Sequence, residues 1–134
     1  MAAETGPVLI DTSAWIDTFR GKAPKVASTI RKLNSEDRAV TCGPVLFEIR
    51  RGLRPDERKK VLPLFEALRR LPFDETDWAE AGDLDAYLRR KGQTFPAMDV
   101  LIAYLCLKHN ASVLSLDGHF KGIAGIRIHD IIEK

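Results

Sequence analysis

The sequence predicts one α/β domain built around a mainly parallel β-sheet. A short, continuous apolar run at residues 7–10 has the composition of a strand that is buried on both faces, and residues 112–116 indicate another buried strand. Segments with helical periodicity separate these runs, as in proteins whose parallel strands alternate with helices. The 134 residues include 45% hydrophobic and 30% charged side chains, without an internal repeat or a low-complexity segment. A single domain over residues 1–134 is therefore expected.

The chain opens with a predicted strand, a tight turn and a helix. The strand over residues 7–10 stops at Asp11, and Thr12 or Ser13 can cap the next helix through a side-chain oxygen. Apolar residues then recur at helical spacing until Gly21. An acidic residue therefore stands at the point where the first strand ends.

A second helix, a second strand and a third helix follow in the prediction. The second helix begins at Pro24, a residue favoured in the first turn of helices, and ends at residues 34–35. Residues 38–42 form the next short strand. Residues 43–44, a Gly-Pro pair, start a helix that carries Glu48.

The second half of the chain is predicted to be mostly helical. Residues 55–70 and 76–90 form two amphipathic helices, which are broken at residues 71–73. Residues 98–107 are apolar on nearly every side, which indicates a helix packed deep in the protein. A short final strand is expected at residues 126–128.

Two groups of acidic residues, thirteen of the 19 in the sequence, differ in their surroundings. Nine lie in polar or helix-surface contexts and are expected to be solvated: Asp37, Asp56, Glu57, Asp74, Glu75, Asp77, Glu80, Asp83 and Asp85. Four others lie within or at the end of apolar runs: Asp11, Glu48, Asp99 and Asp117. Taken singly, each of the four could be a helix cap or half of a buried ion pair. Because an ionised carboxylate is rarely buried without a partner, four such acids favour a common explanation.

The predicted topology brings these four acids to one edge of the sheet. Parallel sheets collect ligand sites outside the carboxyl ends of their strands, and Asp11 and Asp117 each follow a predicted strand. Asp99 begins the apolar helix, and Glu48 lies on the helix after the second strand, so both side chains can reach the same edge. The four carboxylates are therefore expected to face one crevice.

A cluster of four carboxylates requires a cation. Repulsion among the charges would raise the pKa values of the acids and destabilise the fold. Oxygen ligands without a matching His or Cys pattern favour Mg²⁺ or Mn²⁺ over Zn²⁺. Such clusters commonly serve phosphoryl chemistry, in which one or two ions activate the attacking water. The residues alone thus predict a metal-binding α/β domain suited to phosphoryl transfer or nucleic-acid cleavage.

Three segments resemble the motifs of the PIN domain, and in particular those of the VapC-like toxins of toxin–antitoxin pairs. VLIDTSAWID at residues 8–17 is similar to the family's opening strand and its aspartate. GPVLFEIRRG at residues 43–52 resembles the second motif, and PAMDVLIAYLCLKHNASVLSLDGHF at residues 96–120 resembles the third and fourth together. These motifs carry all four acids in the family's order. As departures, the family often has Thr where Ser115 stands, and His119 replaces a commoner Asp or other polar residue.

The resemblance implies a single PIN-like domain of three α/β/α layers with the activity of a Mg²⁺- or Mn²⁺-dependent endoribonuclease. Proteins of this kind are usually homodimers that cut structured RNA, such as tRNA or ribosomal RNA, and thereby arrest translation. A small VapB-like antitoxin inhibits them by blocking the active site with its C-terminal segment. The same partners are expected here.

The resemblance also implies roles for the four acids. Asp11, Asp99 and Asp117 are expected to supply most of the metal contacts, and Glu48 to bind the metal or orient a water molecule on it. Attack by that water, rather than by the ribose 2′-hydroxyl, predicts products with 5′-phosphate and 3′-hydroxyl ends. Which carboxylate takes the proton stays open.

Two further groups of residues are candidates for supporting roles. Ser13 and Ser115 lie two residues from an acid, so their hydroxyls can orient a carboxylate or a phosphate; helix capping or turn formation is the alternative. Arg50, Arg51 and Arg54 can bind the RNA backbone, and a solvated basic helix end is the alternative.

His119 and the larger aromatic residues are expected to have no catalytic role. A lone histidine in a turn is more often incidental than a general acid, so His119 is expected to be incidental. Trp15, Phe19, Trp78 and Tyr87 are expected to anchor the core or an interface. An apolar face of the second, fourth or fifth helix is expected to hold the dimer or the antitoxin.

The composition indicates the cellular compartment of the protein, but it does not identify what the protein binds. The net charge is +2, from 21 basic and 19 acidic residues, so attraction of RNA must depend on local basic patches. Cys42 and Cys106 lie in apolar surroundings that are typical of buried, reduced thiols. The first residues lack a secretory signal, and the apolar stretches are too short to span a bilayer. A cytoplasmic protein is expected.

Three other functions are weighed against a toxin ribonuclease. An aspartate-nucleophile phosphatase would use Asp11 to attack phosphate, but such enzymes need a second acid where Ser13 stands. A PIN-type nuclease of housekeeping RNA processing would share the same chemistry. A non-catalytic RNA- or protein-binding module would be favoured if one of the four acids were missing, and none is.

Overall fold

Within the described part of the chain, a four-stranded, wholly parallel sheet flanked by six helices forms the centre of the protein. The computed structural model describes residues 5–131. The strands are β1 (Val8–Ile10), β2 (Ala39–Thr41), β3 (Arg69–Arg70) and β4 (Ser112–Leu114). The helices are α1 (Thr12–Phe19), α2 (Pro24–Ser35), α3 (Gly43–Gly52), α4 (Pro55–Glu66), α5 (Glu75–Arg90) and α6 (Ala97–His109), and a 3₁₀ helix covers His119–Gly122. The α/β fold expected from the sequence is confirmed.

Strand β1 lies inside the sheet, which has the order β3-β2-β1-β4. All three β1 residues are fully buried, as expected for an apolar run covered on both faces. Val8 is in register with Ala39 of β2, and Ile10 is in register with Leu114 of β4. The carboxyl ends of β1 and β4 therefore lie side by side, and the backbone N–H of Asp11 donates to the carbonyl of Leu114 at 2.9 Å.

Local sequence signals set several helix boundaries. Pro24 is the first residue of α2, where its missing N–H costs no hydrogen bond. After α1, Gly21 has a φ of 70°, a left-handed conformation that glycine adopts without a Cβ clash. Asn110, with a φ of 55°, ends α6 in the same way. The helix limits predicted around these residues are accordingly close to the observed ones.

The core joins helix α6 to the sheet and to an aromatic cluster on α1 and α4. Ile102 and Leu105 of α6 are fully buried, in agreement with the predicted deep helix. Trp15 contacts Phe65 with ring centroids 4.8 Å apart and stacks on Phe19 at 5.5 Å. Burial of side chains of this size contributes about 1.5–3 kcal/mol each before entropy is counted. This cluster holds α1, and with it the residues that follow β1, in a fixed position.

Two of the four expected anchor residues are not part of the core. Trp78 and Tyr87 of α5 are 58% and 46% exposed. Trp78 contacts Phe73, with ring centroids 4.7 Å apart, and Lys91 lies over the Tyr87 ring. Of the two roles expected for these rings, a core role is therefore wrong for Trp78 and Tyr87, and an interface role stays a prediction.

Two predicted elements differ from the structure. The helix expected over residues 55–70 ends at Glu66, and Arg69–Arg70 instead pair with β2 as a short edge strand. The final strand expected at residues 126–128 is reduced to a single bridge between Val113 and Ile128. In both segments the backbone hydrogen bonds go to a neighbouring strand, a tertiary contact that the local apolar spacing does not encode.

Asp77, which was expected to be solvated, is fully buried between α5 and α6. Its carboxylate accepts hydrogen bonds from the Tyr104 hydroxyl at 2.7 Å and from Lys108 Nζ at 2.6 Å. The backbone N–H of Asp74 donates to its other oxygen at 2.8 Å. The Lys108 hydrogen bond, followed by that of Asp74, holds the pKa of Asp77 well below its usual range. The prediction of solvation was wrong because the carboxylate gains three donors from the folded chain.

The two thiols are buried and unbridged, as the sequence predicted. Burial is the main cause that raises the pKa of Cys42 to about 12. A thiol of this kind stays protonated and unreactive.

Within residues 5–131, no helix combines the length and the apolar character needed to cross a membrane.

Candidate metal centre

A polar cavity of about 350 Å³ opens at the carboxyl edge of the sheet, where β1 and β4 end. All four acids singled out in the sequence line this cavity or contact the side chains that do. The lining residues are Asp11, Thr12, Ser13, Ile16, Arg20, Glu48, Arg51, Gly52, Asp99 and Asp117. The structure thus brings the four predicted acids together, and their roles in catalysis and metal binding stay predictions.

Asp11 is the most deeply buried of the four acids, with 2% of the residue exposed. Its backbone carbonyl accepts the first hydrogen bonds of α1, from Ala14 and Trp15, which leaves its side chain free to face the cavity. Burial raises the pKa of Asp11 to about 6, against hydrogen bonds from Ser115 and the Thr12 backbone. The nearby charges of other acids raise the pKa further. This carboxylate is therefore placed where a positive charge would stabilise it.

Asp99 and Asp117 approach the same point from α6 and from the turn after β4. Asp99 lies in the first turn of α6 and is 8% exposed, whereas the Asp117 side chain is 35% exposed. Burial, and then the charges of Asp117 and Glu48, raise the pKa of Asp99, which its contact with His119 lowers. Two carboxylates on separate elements thus share one small volume.

Glu48 lines the same cavity from α3. Its Oε1 atom accepts a hydrogen bond from the Thr12 hydroxyl at 2.8 Å. Its Oε2 atom is 4.0 Å from the Arg51 guanidinium, one turn further along the helix. Thr12 or Ser13 was expected to cap α1, but that helix has no side-chain cap, and the Thr12 hydroxyl orients Glu48 instead. The prediction of a cap was therefore wrong for both residues.

Ser13 and Ser115 both hold the Asp11 carboxylate. Their hydroxyls donate to Asp11 Oδ2 at 3.2 Å and 2.8 Å, respectively. Ser115 also accepts a hydrogen bond from the backbone N–H of Asp117 at 3.2 Å, so it stabilises the turn as well. Ser13 accepts one from the backbone N–H of Leu116 at 3.1 Å. Both the orienting role and the turn-forming alternative are thus present in the geometry.

His119, expected to be incidental, lies in the acidic cluster. Its Nδ1 atom forms a hydrogen bond with Asp99 Oδ2 and is 3.4 Å from Asp117 Oδ1. The contact with Asp99, followed by the charge of Asp117, raises the pKa of His119. The sequence signal was its position two residues after Asp117, at a place where the family commonly has an acid. Its place among the acids was not predicted because Asp99, its main partner, lies 20 residues away, and the expectation that it has no catalytic role stays a prediction.

The three predicted RNA-binding arginines occupy different places. Only Arg51 lines the cavity. Arg50 is exposed and outside it, and Arg54 forms the start of α4, where its guanidinium is 3.6 Å from Glu57. Arg20, which sequence reasoning missed, also lines the cavity and donates to Glu57 at 3.1 Å and 3.2 Å. These bonds lower the pKa of Glu57 to about 2, so this acid is not simply solvated as expected.

The donor set fits a divalent cation. Within the described residues, Asp99, Asp117 and His119 form the one group whose ligand atoms all lie within 4.8 Å of one another. Asp11, whose pKa is raised by burial and by the charges of Asp117 and Asp99, lies beside them. Carboxylates held this close repel one another in the absence of a cation, and oxygen-rich sites are those that Mg²⁺ and Mn²⁺ prefer. The chemistry of the residues thus agrees with a metal centre.

Sequence comparison places the chain among known proteins. The profile of the PIN domain matches residues 8–126. The chain is 36% identical over 124 residues to ribonuclease VapC11 of Mycobacterium tuberculosis, covering 89% of this chain and 92% of that protein. The same identity and coverage hold for a VapC ribonuclease of Mycobacterium bovis.

Solved structures give the same result at the level of the fold. DNA-bound VapBC from Salmonella typhimurium superposes with a TM-score of 0.79 at 25% identity, covering 93% of this chain and 98% of that one. VapBC-5 from M. tuberculosis, a member of the VapBC family of toxin-antitoxin systems, has a TM-score of 0.62 at 24% identity, with 92% and 99% covered. The fold, the order of the motifs and the sequence identity all indicate the same family. The chain therefore belongs to the PIN domain family, in the branch of the VapC ribonucleases.

Proposed function

We propose that this protein is a divalent-metal-dependent endoribonuclease that acts as the toxin of a toxin–antitoxin pair. The observation that carries the proposal is the meeting of Asp11, Glu48, Asp99 and Asp117 around one polar cavity at the carboxyl edge of the sheet. The names of its relatives, which are ribonucleases, support RNA as the substrate.

Asp11, Asp99 and Asp117 would hold the metal, because they converge from β1, α6 and the turn after β4. Mg²⁺ or Mn²⁺, when bound, supplies Lewis-acid chemistry that acidifies water and offsets the negative charge growing on the scissile phosphate. Ser13 and Ser115 fix the orientation of Asp11 through its Oδ2 atom. These hydroxyls act on the metal only through the carboxylate, so they are positioning residues.

Glu48, which lines the same cavity, orients the attacking water. The Thr12 hydroxyl fixes one of its carboxylate oxygens, and Arg51 approaches the other. With water as the nucleophile, the ribose 2′-hydroxyl takes no part in the cleavage step. The products are then expected to carry 5′-phosphate and 3′-hydroxyl ends.

Arg20 and Arg51 would bind the phosphates that flank the cleaved bond. Both line the cavity, and the net charge of +2 provides no strong global attraction for RNA. Local cations at the cavity rim then supply the attraction. Arg50 and Arg54, which lie outside the cavity, contribute less. The substrate class proposed is structured RNA, such as tRNA or ribosomal RNA.

The proposed partners are a VapB-like antitoxin and a second copy of this chain, acting in the cytoplasm. The Salmonella typhimurium relative was solved as VapBC, which supports an antitoxin partner. Large apolar side chains are exposed on α4 and α5, at Leu64, Trp78 and Tyr87, and such residues favour a protein interface over a bare surface. Binding of the antitoxin over the cavity would inhibit cleavage.

Cleavage of end-labelled RNA by metal-stripped protein tests the proposal. Total tRNA and ribosomal RNA fragments are incubated with Mg²⁺, Mn²⁺ or chelator, and Asp99→Asn is compared with Asp83→Asn, a surface acid of α5. We expect cleavage that needs metal, is lost in Asp99→Asn and is kept in Asp83→Asn. Cleavage in chelator, or 2′,3′-cyclic phosphate ends, would overturn the mechanism; cleavage of no RNA, with no metal binding by calorimetry, would favour a non-catalytic module.

A further inference from the structure

The imidazole of His119 enters the acidic cluster with one ring nitrogen. Nδ1 faces Asp99 Oδ2 and lies 3.4 Å from Asp117 Oδ1, and one ligand atom of each of the three residues lies within 4.8 Å of those of the other two. Either a proton on Nδ1 or a metal cation can join this nitrogen to the two carboxylates, because a bare nitrogen lone pair and carboxylate oxygens repel one another.

The separation of His119 Nδ1 from Asp117 Oδ1 suits two ligands of a single ion. Ligand atoms about 2.1 Å from a metal lie about 3 Å apart when adjacent and about 4 Å apart when opposite, for octahedral geometry. The 3.4 Å between Nδ1 and Asp117 Oδ1 falls between these values. His119 Nδ1 and Asp99 Oδ2 form a hydrogen bond, so a bound ion would take the place of the proton that they share.

The turn after β4 fixes His119 in this position. The backbone N–H of His119 donates to Asp117 Oδ1 at 3.0 Å, and the backbone N–H of Asp117 donates to the Ser115 hydroxyl at 3.2 Å. The next residue, Phe120, is 1% exposed and anchors the 3₁₀ helix in the core. The histidine is thus held from both sides, whereas its ring remains about half exposed and accessible.

We infer that His119 Nδ1 is a ligand of the same metal ion that Asp99 and Asp117 hold, so that this centre contains nitrogen as well as oxygen. The inference rests on the proposed metal centre and specifies it further. Its consequence is a changed metal preference, because imidazole ligands favour later first-row ions such as Co²⁺, whereas Mg²⁺ prefers oxygen ligands only. Relative to an all-carboxylate site, this protein should prefer Mn²⁺ and Co²⁺ over Mg²⁺.

The direct test is electron spin-echo envelope modulation of the untagged, full-length protein loaded with Mn²⁺. A coordinated imidazole produces ¹⁴N modulation, and we expect that signal in the native protein. It should disappear in His119→Asp, which restores an all-carboxylate set, and persist in His129→Ala, which removes a partly buried histidine outside the acidic cluster. Circular dichroism checks that each variant is folded.

Calorimetric titration with Mg²⁺, Mn²⁺ and Co²⁺ alone supplies a second readout. His119→Asp should weaken Co²⁺ binding by at least about tenfold, the loss typical even of residues that only support a ligand. Mg²⁺ binding should be unchanged or stronger. Equal changes for all three ions would overturn the inference.

The outcomes separate this inference from the proposed function. In one outcome, Mn²⁺ binds the native protein, does not bind Asp99→Asn and shows no ¹⁴N modulation. That result would overturn the inference that His119 is a ligand and would leave the proposed metal-dependent nuclease in place. Failure of Mn²⁺ to bind the native protein would overturn both. RNA cleavage kept in His119→Asp with Mg²⁺, together with lost ¹⁴N modulation, would support the inference and the proposed function alike.

Discussion

The hydroxyl of Ser115 donates a 2.8 Å hydrogen bond to Asp11 Oδ2, joining residues that are 104 positions apart in the chain. This bond crosses from the turn after β4 to the end of β1, and it lowers the pKa of a carboxylate that burial otherwise raises. Ser115 therefore controls how readily Asp11 becomes ionised and available to a cation.

Ser115→Ala should raise the pKa of Asp11 above about 6 and weaken Mn²⁺ binding at pH 7 by about tenfold. The cause is loss of the hydrogen bond that favours the charged carboxylate. Carbon-13 NMR of the carboxyl groups gives the pKa, and calorimetry gives the affinity. Ser35→Ala, at the exposed end of α2, is the matched control. An unchanged pKa in Ser115→Ala would contradict the expectation.

Asp11 should make the metal-stripped protein less stable as the pH rises. Its pKa is raised from 3.8 to about 6 in the folded state, so the folded protein binds the proton more tightly than the unfolded chain. The contribution to stability is complete below pH 4 and is lost as the pH rises through 6. It amounts to about 3 kcal/mol.

The Asp11→Asn variant tests this dependence of stability on pH. In urea unfolding with chelator present, the variant should be more stable than the native protein at pH 7, by up to about 3 kcal/mol, and similar to it at pH 4. Adding Mn²⁺ should stabilise only the native protein. A stability difference that does not depend on pH would show that Asp11 is ionised at little cost.

Lys108→Met should destabilise the protein, because it leaves the Asp77 carboxylate buried without its cation. The lowered pKa of Asp77 means that its contribution to stability is present above pH 4 and is lost as the pH falls below that value. Urea unfolding at pH 7 should show a clear loss that becomes smaller in acid. Lys60→Met, on the exposed face of α4, should be nearly neutral; equal effects of the two variants would count against a buried ion pair.

Arg51→Gln should weaken RNA binding more than Arg50→Gln. Arg51 lines the cavity, whereas its neighbour Arg50 is exposed outside it. Binding is measured by fluorescence anisotropy in the Asp99→Asn background at several salt concentrations. Loss of one phosphate contact should reduce the slope of log K against log salt by about 0.7 for single-stranded and about 0.9 for duplex segments of the RNA. Identical slopes for the two variants would place the RNA elsewhere.

Much of the fold and the four clustered acids could be predicted because both depend on local patterns and one topological rule. The apolar runs before Asp11 and Asp117 are strand signals, and parallel strands end at a common edge. Knowing those two positions is enough to predict a shared crevice. The helix carrying Asp99 was recognisable from its uniformly apolar composition.

The features that escaped prediction depend on partners far along the chain. Asp77 is followed by an ordinary amphipathic pattern, and its burial comes from Tyr104 and Lys108, which are 27 and 31 residues away. The position of His119 beside the acids likewise depends on its contact with Asp99, 20 residues away. Strand β3 is only two residues long and consists of two arginines, so it has no apolar alternation to reveal it.

That two-arginine strand also limits how copies of this protein can associate. Arg69 and Arg70 are exposed, and β3 ends the sheet on its side within residues 5–131. A second strand docking there from another copy would bring four guanidinium groups together, which repel one another. Edge-to-edge pairing of two copies through β3 is thereby discouraged.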